Sequence, residues 1–223
     1  MTVSVIVPFR GDNGQRDRIW VWLHERLDAF WWSDEVVTSD SGHEPFNRAA
    51  SINEGVAKCS GDVLVINDAD TAAHMAWSVP IMGALKNGTW TIGHEPGAYC
   101  SLGAAATEMV LAMTPWVTLP APSELPITEP ERCTSDSGVV ILPRQLFERA
   151  GGFDERYLGW GCEDVAFRIV MEHEVGPPAR TGFTYHLHHP RGLEFKAPEW
   201  PANAILLERY REWAAGTPGF ERP

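Results

Sequence analysis

The chain has 223 residues, 44% of them hydrophobic, enough for one sizeable core, and no apolar run reaches the length of a membrane span. Its 18 basic and 30 acidic side chains leave a net charge of −12; this argues against a broad phosphate-tracking surface for nucleic acid, and any phosphate must be met locally by a metal or a few placed arginines. Four dispersed cysteines, Cys59, Cys100, Cys133 and Cys162, form no C-x-x-C pair, which argues against a zinc site or a disulfide framework and for reduced, cytoplasmic thiols.

The first residues run straight into a strand pattern without an export signal. Residues 3–8 are an apolar strand closed by Pro8, and Arg10, Gly11, Asp12, Asn13 and Gly14 make a polar loop before helical spacing resumes over 16–30. Ile19, Leu23, Leu27 and Phe30 give that helix a buried stripe. Residues 35–38 read as the second strand, and Asp40 follows at its carboxyl end, either as an Asx-turn or cap or as part of a site. Over 46–57 the small and apolar residues Phe46, Ala49, Ala50, Val56 and Ala57 mark a narrow helical face. Asn53 falls on that face, and a buried amide needs partners, so it is either a tie to a neighbouring strand or part of a site. Arg48 in the first turn opposes the helix dipole; it is either sharing an anion there or snorkelling at the surface.

The stretch 61–71, Gly-Asp-Val-Leu-Val-Ile-Asn-Asp-Ala-Asp-Thr, is a buried strand that ends in oxygen-bearing side chains. An apolar run without alternation is the mark of a strand covered on both faces, and ligands collect at the carboxyl ends of such strands. If the backbone stays extended, Asp68 and Asp70 point to one side and suit a hard divalent cation; the alternative is an acidic turn capping a helix at 71–75.

A helix interrupted at Pro80 is expected over 72–87, then a short strand near 90–93. Pro96, Pro115, Pro120, Pro122, Pro126 and Pro130 punctuate 95–134, which holds one helix-like island at 104–113. A stretch of this kind is a lid or binding loop, with Trp116 a stacking surface for an acceptor, or a Pro-rich surface excursion. Residues 138–142 return to a core-like strand. In 151–164 the glycines around Trp160 allow a sharp turn that presses the indole into a cleft or into the core. Glu163 and Asp164 then open a helix with Val165, Ile169 and Met171 available for burial, although acids at a helix start are also favoured by the dipole alone. Residues 181–187 form a strand that runs into His186, His188 and His189, and imidazoles at i and i+3 can meet one metal if the chain turns between them. Residues 202–214 close the chain as an amphipathic helix with Leu206, Leu207, Tyr210 and Trp213 inward.

Taken in order, Phe46-Asn47-Arg48-Ala49 with Asn53 and Gly55, the Asp68-Ala69-Asp70 tip, Gly159-Trp160-Gly161 with Glu163-Asp164, and the terminal histidines resemble the nucleotide-sugar glycosyltransferases of the GT-A fold, most of all the beta-galactosyltransferases and related family 2 enzymes. The resemblance spans about residues 3–191. It implies an α/β fold, a single GT-A (Rossmann-like) domain over 1–223 with a mixed, mainly parallel sheet flanked by helices, a Pro-rich insert or lid at 95–134 and a C-terminal helix and tail at 201–223. It also implies a metal-dependent transferase that moves a hexose or N-acetylhexosamine from a UDP-sugar to an acceptor hydroxyl on a glycan or protein, with inversion. By the same resemblance Asp164 is the catalytic base beside Glu163. Pro8, Arg10, Asp40, Asn47, Arg48 and Asp68 line the nucleotide, with Asp40 at the uracil. Tyr157, Trp160 and Gly161 line the sugar or acceptor. Asp70, His186 and His189 hold the divalent metal, manganese or magnesium, with His186 where galactosyltransferases often carry methionine. A non-catalytic nucleotide-sugar or glycan-binding protein on the same scaffold is the alternative. Ten tryptophans favour a carbohydrate ligand slightly, because sugars stack on indole faces.

Overall fold

The apolar runs of the sequence become the centre of a six-stranded sheet. The computed structural model describes residues 2–30, 33–73, 78–125, 131–133, 135–159, 161–190 and 198–223. The chain begins β1 (Val3–Pro8), α1 (Gln15–Asp28), β2 (Glu35–Ser39), α2 (Arg48–Lys58) and β3 (Val63–Asn67). It continues through β4 (Thr71–Ala73), α3 (Ser78–Asn87), β5 (Thr91–Ile92), β6 (Tyr99–Ser101), α4 (Ala104–Leu111) and β7 (Glu131–Cys133). The last part is β8 (Val139–Pro143), α5 (Arg144–Ala150), α6 (Glu163–Glu174), β9 (Ala179–Arg180), β10 (Thr184–His186) and α7 (Trp200–Ala214).

The large sheet has the order β2-β1-β3-β8-β5-β9. Strands β2, β1 and β3 run parallel, β8 is antiparallel to both β3 and β5, and β9 pairs parallel with β5. Both faces are covered, which is why the central strands are apolar throughout. Side chains of period two divide them: Val3, Val5, Val7, Val63, Val65, Val139 and Ile141 pack with Ile19, Leu23 and Leu27 of α1. Ile6, Leu64, Ile66, Val140 and Leu142 pack on the other face with Ile52 of α2, Phe147 of α5 and Phe167 of α6. Each of the fully buried strand side chains contributes roughly 1.5–3 kcal/mol.

Three expectations change. Residues 71–73 are a strand and not a helix start; the expected helix is described over Ser78–Asn87, with 74–77 outside the described residues, and Pro80 sits in the first turn of that span. The Pro-rich stretch is not structureless. It supplies β6, α4 and β7, and Cys100, Leu102, Ala106, Val110 and Leu119 are buried in the core. Finally, β4, β10, β6 and β7 form a second, four-stranded sheet in that order, which the sequence did not announce. Its strands β10 and β4 are antiparallel, with His186 opposite Thr71.

Candidate active site

The tip of β3 does not stay extended. Asp68 donates its backbone N–H to Gly138 O at 2.9 Å, Thr71 donates to Asp68 O at 3.1 Å, and the chain turns into β4. Asn67, fully buried, fastens the turn by donating its amide to Asp68 O and Thr71 O at 2.7 and 3.0 Å. The two carboxylates therefore part. Asp68 faces Arg48, whose Nε and NH2 lie 2.8 and 2.6 Å from its Oδ1, whereas Asp70 faces the histidines.

Asp70, His186 and His189 each present one ligand atom, and these atoms lie within 4.8 Å of one another. His189 Nε2 is 3.1 Å from Asp70 Oδ2, and His186 Nε2 is 3.8 Å from Oδ1. The other nitrogen of His189, Nδ1, is 3.1 Å from Pro190 O; a proton held there leaves Nε2 facing the cluster, the arrangement common to metal-binding imidazoles. Leu187 N donates to Asp70 O at 2.8 Å, so strand β10 holds both sides of the cluster in register. Burial alone would raise the Asp70 pKa, but His186, the hydrogen bond from His189 and Arg16 outweigh it and keep the carboxyl well below the usual range. His189 in turn is raised by its hydrogen bond to Asp70. One carboxylate and two imidazoles are richer in nitrogen than the oxygen octahedron that magnesium demands, and suit a divalent transition metal, manganese among them, with oxygen ligands completing its shell. His188 is exposed and lies outside the cluster, its backbone N–H donating to Thr107 Oγ1.

Arg48 joins this tip to the start of α6. Its guanidinium also lies 3.3 Å from Glu163 Oε1, so the anion expected at the first turn of α2 is a pair of the protein's own carboxylates. Burial works against the charge of Arg48, but Asp68, Glu163 and Asp164 together raise its pKa above the ordinary value. Glu163 is buried, and burial followed by the adjacent Asp164 pushes its carboxyl up to about 7 against the pull of Arg48. Asp164 is half-buried, and its Oδ1 accepts from Val165 N at 2.8 Å. The turn into α6 depends on left-handed residues, with φ of +96° at Gly161 and +80° at Cys162. A Cβ on Gly161 would lie 2.7 Å from the Trp200 ring, so this glycine has a packing reason to be there. Val165 and Ile169 are only partly buried; Ala166, Phe167, Val170 and Met171 take the core side of α6.

At the carboxyl ends of β1 and β2, the same end of the sheet as the β3 tip, Arg10 grips both oxygens of Asp40 at 2.8 and 2.7 Å and reaches Glu44 at 2.8 Å. The Arg10 hydrogen bond holds the Asp40 carboxyl below its usual range. Asp40 also makes the Asx-turn to Gly42 N that the sequence allowed. Pro8 pairs with Ser39 in the sheet, which brings these strand ends together. Asn47 is different from expectation: it is fully buried, its Oδ1 caps α2 at Ala50 N and its Nδ2 donates to Glu155 O at 2.7 Å. Asn53 is half-buried and ties α2 to the 153–155 loop through Phe153 and Glu155. Tyr157, expected at the sugar, is only 3% exposed and stacks on Tyr210 in the helix-side core. Trp160 lies outside the described residues. Sequence reasoning missed Asn67 and Arg16; a polar residue ending a run of four apolar ones was the available signal for Asn67.

A family model of the N-terminal domain of galactosyltransferase matches residues 130–190. The Drosophila beta-1,4-galactosyltransferase 7 structure in complex with manganese, UDP-Gal and xylobiose superposes with a TM-score of 0.60 at 16% identity, over 91% of this chain and 79% of that one. The fold is GT-A, and the chain is galactosyltransferase-like. Glucosyl-3-phosphoglycerate synthase from Mycobacterium tuberculosis, with Mn2+, UDP-glucose and phosphoglyceric acid, is also similar to this GT-A chain, with a TM-score of 0.51 and 17% identity over 97% of this chain and 80% of that one. Beta-1,4-galactosyltransferase 4 from Rattus norvegicus is 23% identical over 179 residues, which is 76% of this chain and 42% of the relative. The chain thus spans less than half the length of the curated relatives it matches.

Proposed function

We propose that this GT-A protein is a metal-dependent glycosyltransferase that moves a hexose or N-acetylhexosamine from a UDP-sugar to an acceptor hydroxyl with inversion. The observation that carries the reading is the Asp70, His186 and His189 cluster at a strand end, connected through Asp68 and Arg48 to the acids that open α6. Structures of similar fold that hold manganese with UDP-sugars, and acceptors as different as xylobiose and phosphoglyceric acid, support it.

In this reading Asp70, His186 and His189 hold the cation, which when bound neutralises the diphosphate and so stabilises the leaving group. Arg10 and Asp40 offer donor and acceptor atoms at the carboxyl ends of β1 and β2, where the base is placed. Asp164 takes the proton of the acceptor hydroxyl. Arg48 holds Asp68 and Glu163 in place and keeps the buried acids from repelling one another. Trp116, 67% exposed, supplies a stacking surface for a glycan acceptor. Residence in the cytoplasm belongs to the same proposal, and fractionation of cells making the protein tests it.

The decisive experiment is a screen of UDP-sugars for release of UDP, with and without manganese, on the wild type and on Asp70→Ala. Manganese-dependent release that Asp70→Ala abolishes is expected. Release that survives in Asp70→Ala, or needs no metal, overturns the reading. Tight manganese-dependent UDP binding with no turnover on any donor or acceptor would instead favour a nucleotide-sugar-binding protein.

A further inference from the structure

Helix α7 turns a polar side chain inward. Asn203, Leu207 and Tyr210 stand at steps of four and three on its buried face, and Asn203 is only 2% exposed. A buried amide costs stability unless its polar atoms are met, so an apolar residue would serve better if this position only packed. The amide is directed at one short stretch of chain. Its Nδ2 donates to Leu158 O at 2.9 Å and to Gly161 O at 3.2 Å, while its Oδ1 accepts from Leu158 N at 3.4 Å. One side chain thus grips the backbone on both sides of residues 159–160, immediately before Glu163 and Asp164 open α6. That backbone has little packing of its own: Gly159 and Gly161 lack side chains and have φ of +65° and +96°, and Leu158 is 40% exposed. Asn47 of the α2 cap also pairs with Gly159 in an isolated parallel bridge. The first turn of α7 closes against the same stretch, since a Cβ on Gly159 would lie 3.3 Å from Glu199 Oε2. Helix α7 has other anchors, because Leu207 and Tyr210 pack in the core and Tyr210 OH donates to Asp154 Oδ2 at 2.9 Å.

We propose that Asn203 is a positioning residue of the transfer reaction, fixing from the C-terminal helix the turn that sets Asp164. The proposal rests on the transferase reading above, in which Asp164 is the base. Without the amide, the carbonyls of Leu158 and Gly161 lose their donor and the glycines are free to rotate. Any displacement then passes through Cys162, itself held at φ of +80°, into the first turn of α6. A shift of about 1 Å in a reacting group can lower a rate by about a hundredfold. The contacts of Asn203 with Leu158 and Gly161 lie on the turn, not at the strand ends that carry Asp70, His186, Arg10 and Asp40. Loss of the amide therefore slows the chemical step and leaves nucleotide affinity in place.

The test compares wild type, Asn203→Ala, Asn203→Asp and Tyr210→Phe, well below their melting temperatures. The measurements are the kinetics of UDP release, calorimetry of UDP at saturating Mn2+, and backbone hydrogen exchange read by mass spectrometry. Asn203→Asp keeps the shape and loses the amide donors, so it carries the test if Asn203→Ala does not fold. In the Asn203 variants kcat should fall roughly ten- to hundredfold, with donor KM and UDP affinity unchanged. Exchange should quicken in the peptide covering 158–164. Tyr210→Phe removes a different hydrogen bond of the same helix face, so it should lower Tm without changing kcat or exchange over 158–164. Wild-type kcat in a folded Asn203 variant, or a loss of kcat that Tyr210→Phe matches, overturns the proposal. So does unchanged exchange over 158–164. A wild type without manganese-dependent UDP release fails the transferase reading instead, and the exchange comparison still decides whether Asn203 fixes the turn.

Discussion

Glu163 and Asp164 are neighbours in sequence, yet their surroundings differ. Successive residues of a helix are rotated by about 100°, so two adjacent acids cannot address one atom in the same way. Glu163 is buried against Arg48, and Asp164 is half-buried with one oxygen on the backbone of Val165. If Asp164 is the base, Asp164→Asn keeps shape and removes basicity; kcat should fall by roughly two to four orders of magnitude with UDP affinity unchanged. Near wild-type turnover, or an α-linked product from a UDP-α-sugar seen by NMR, contradicts the inverting role. Glu163 leads to a stability test. Its folded pKa is raised from 4.5 to about 7, so the folded state holds a proton that the unfolded state releases, and this contribution to stability is lost as pH rises through that window. Glu163→Gln has no proton to lose. Relative to wild type it should be more stable above pH 7 by roughly 2–3 kcal/mol, with the difference vanishing near pH 4, in denaturant titrations across pH. A gap that does not grow with pH would mean that Arg48 already compensates the buried charge.

At the scale of elements, helix α2 shows how a motif residue can be structural. Asn47 caps the helix and ties it to the loop that leads to α6. Asn47→Ala should therefore lower stability by about 2 kcal/mol, the sum of a lost cap and an unpaired buried carbonyl, while Asn47→Ser recovers part of it. UDP affinity that drops with no change in melting temperature would return Asn47 to the nucleotide. The same distinction explains what the sequence could convey. Strands β1, β3 and β8 and helices α1 and α2 were legible because each has enough residues to show a run or a period. Strands β4 and β6 have three residues each, too few for any pattern; β10 was legible within 181–187, but the pairing of all three depends on contacts between distant parts of the chain. Asp70 with His186 and His189 was legible as chemistry through the family resemblance. The parting of Asp68 from Asp70 was not, because it follows from Asn67 fastening a turn. Arg26 was equally hidden: it is buried beneath the Pro-rich segment and donates to the carbonyls of Pro115, Val117 and Ala73.

Across the whole molecule, the candidate site lies where the two sheets meet. Strand β3 of the large sheet leads to Asp68, whereas His186 ends β10 of the small one, and Asp70 lies in the turn between β3 and β4. A cation shared by Asp70 and both histidines would link the two sheets. A ligand that binds the folded chain alone stabilises it by mass action, about 2.7 kcal/mol at one hundred times its Kd. For a domain of this size that corresponds to a rise in Tm of roughly 5–10 °C. Manganese and UDP together should produce this shift in a thermal melt, UDP without a divalent ion should produce little, and manganese alone should produce less than the pair because each bound ligand adds its own share. Asp70→Ala should remove the combined shift. A full shift with UDP and a chelator would place the nucleotide elsewhere on the fold, away from the junction of the sheets.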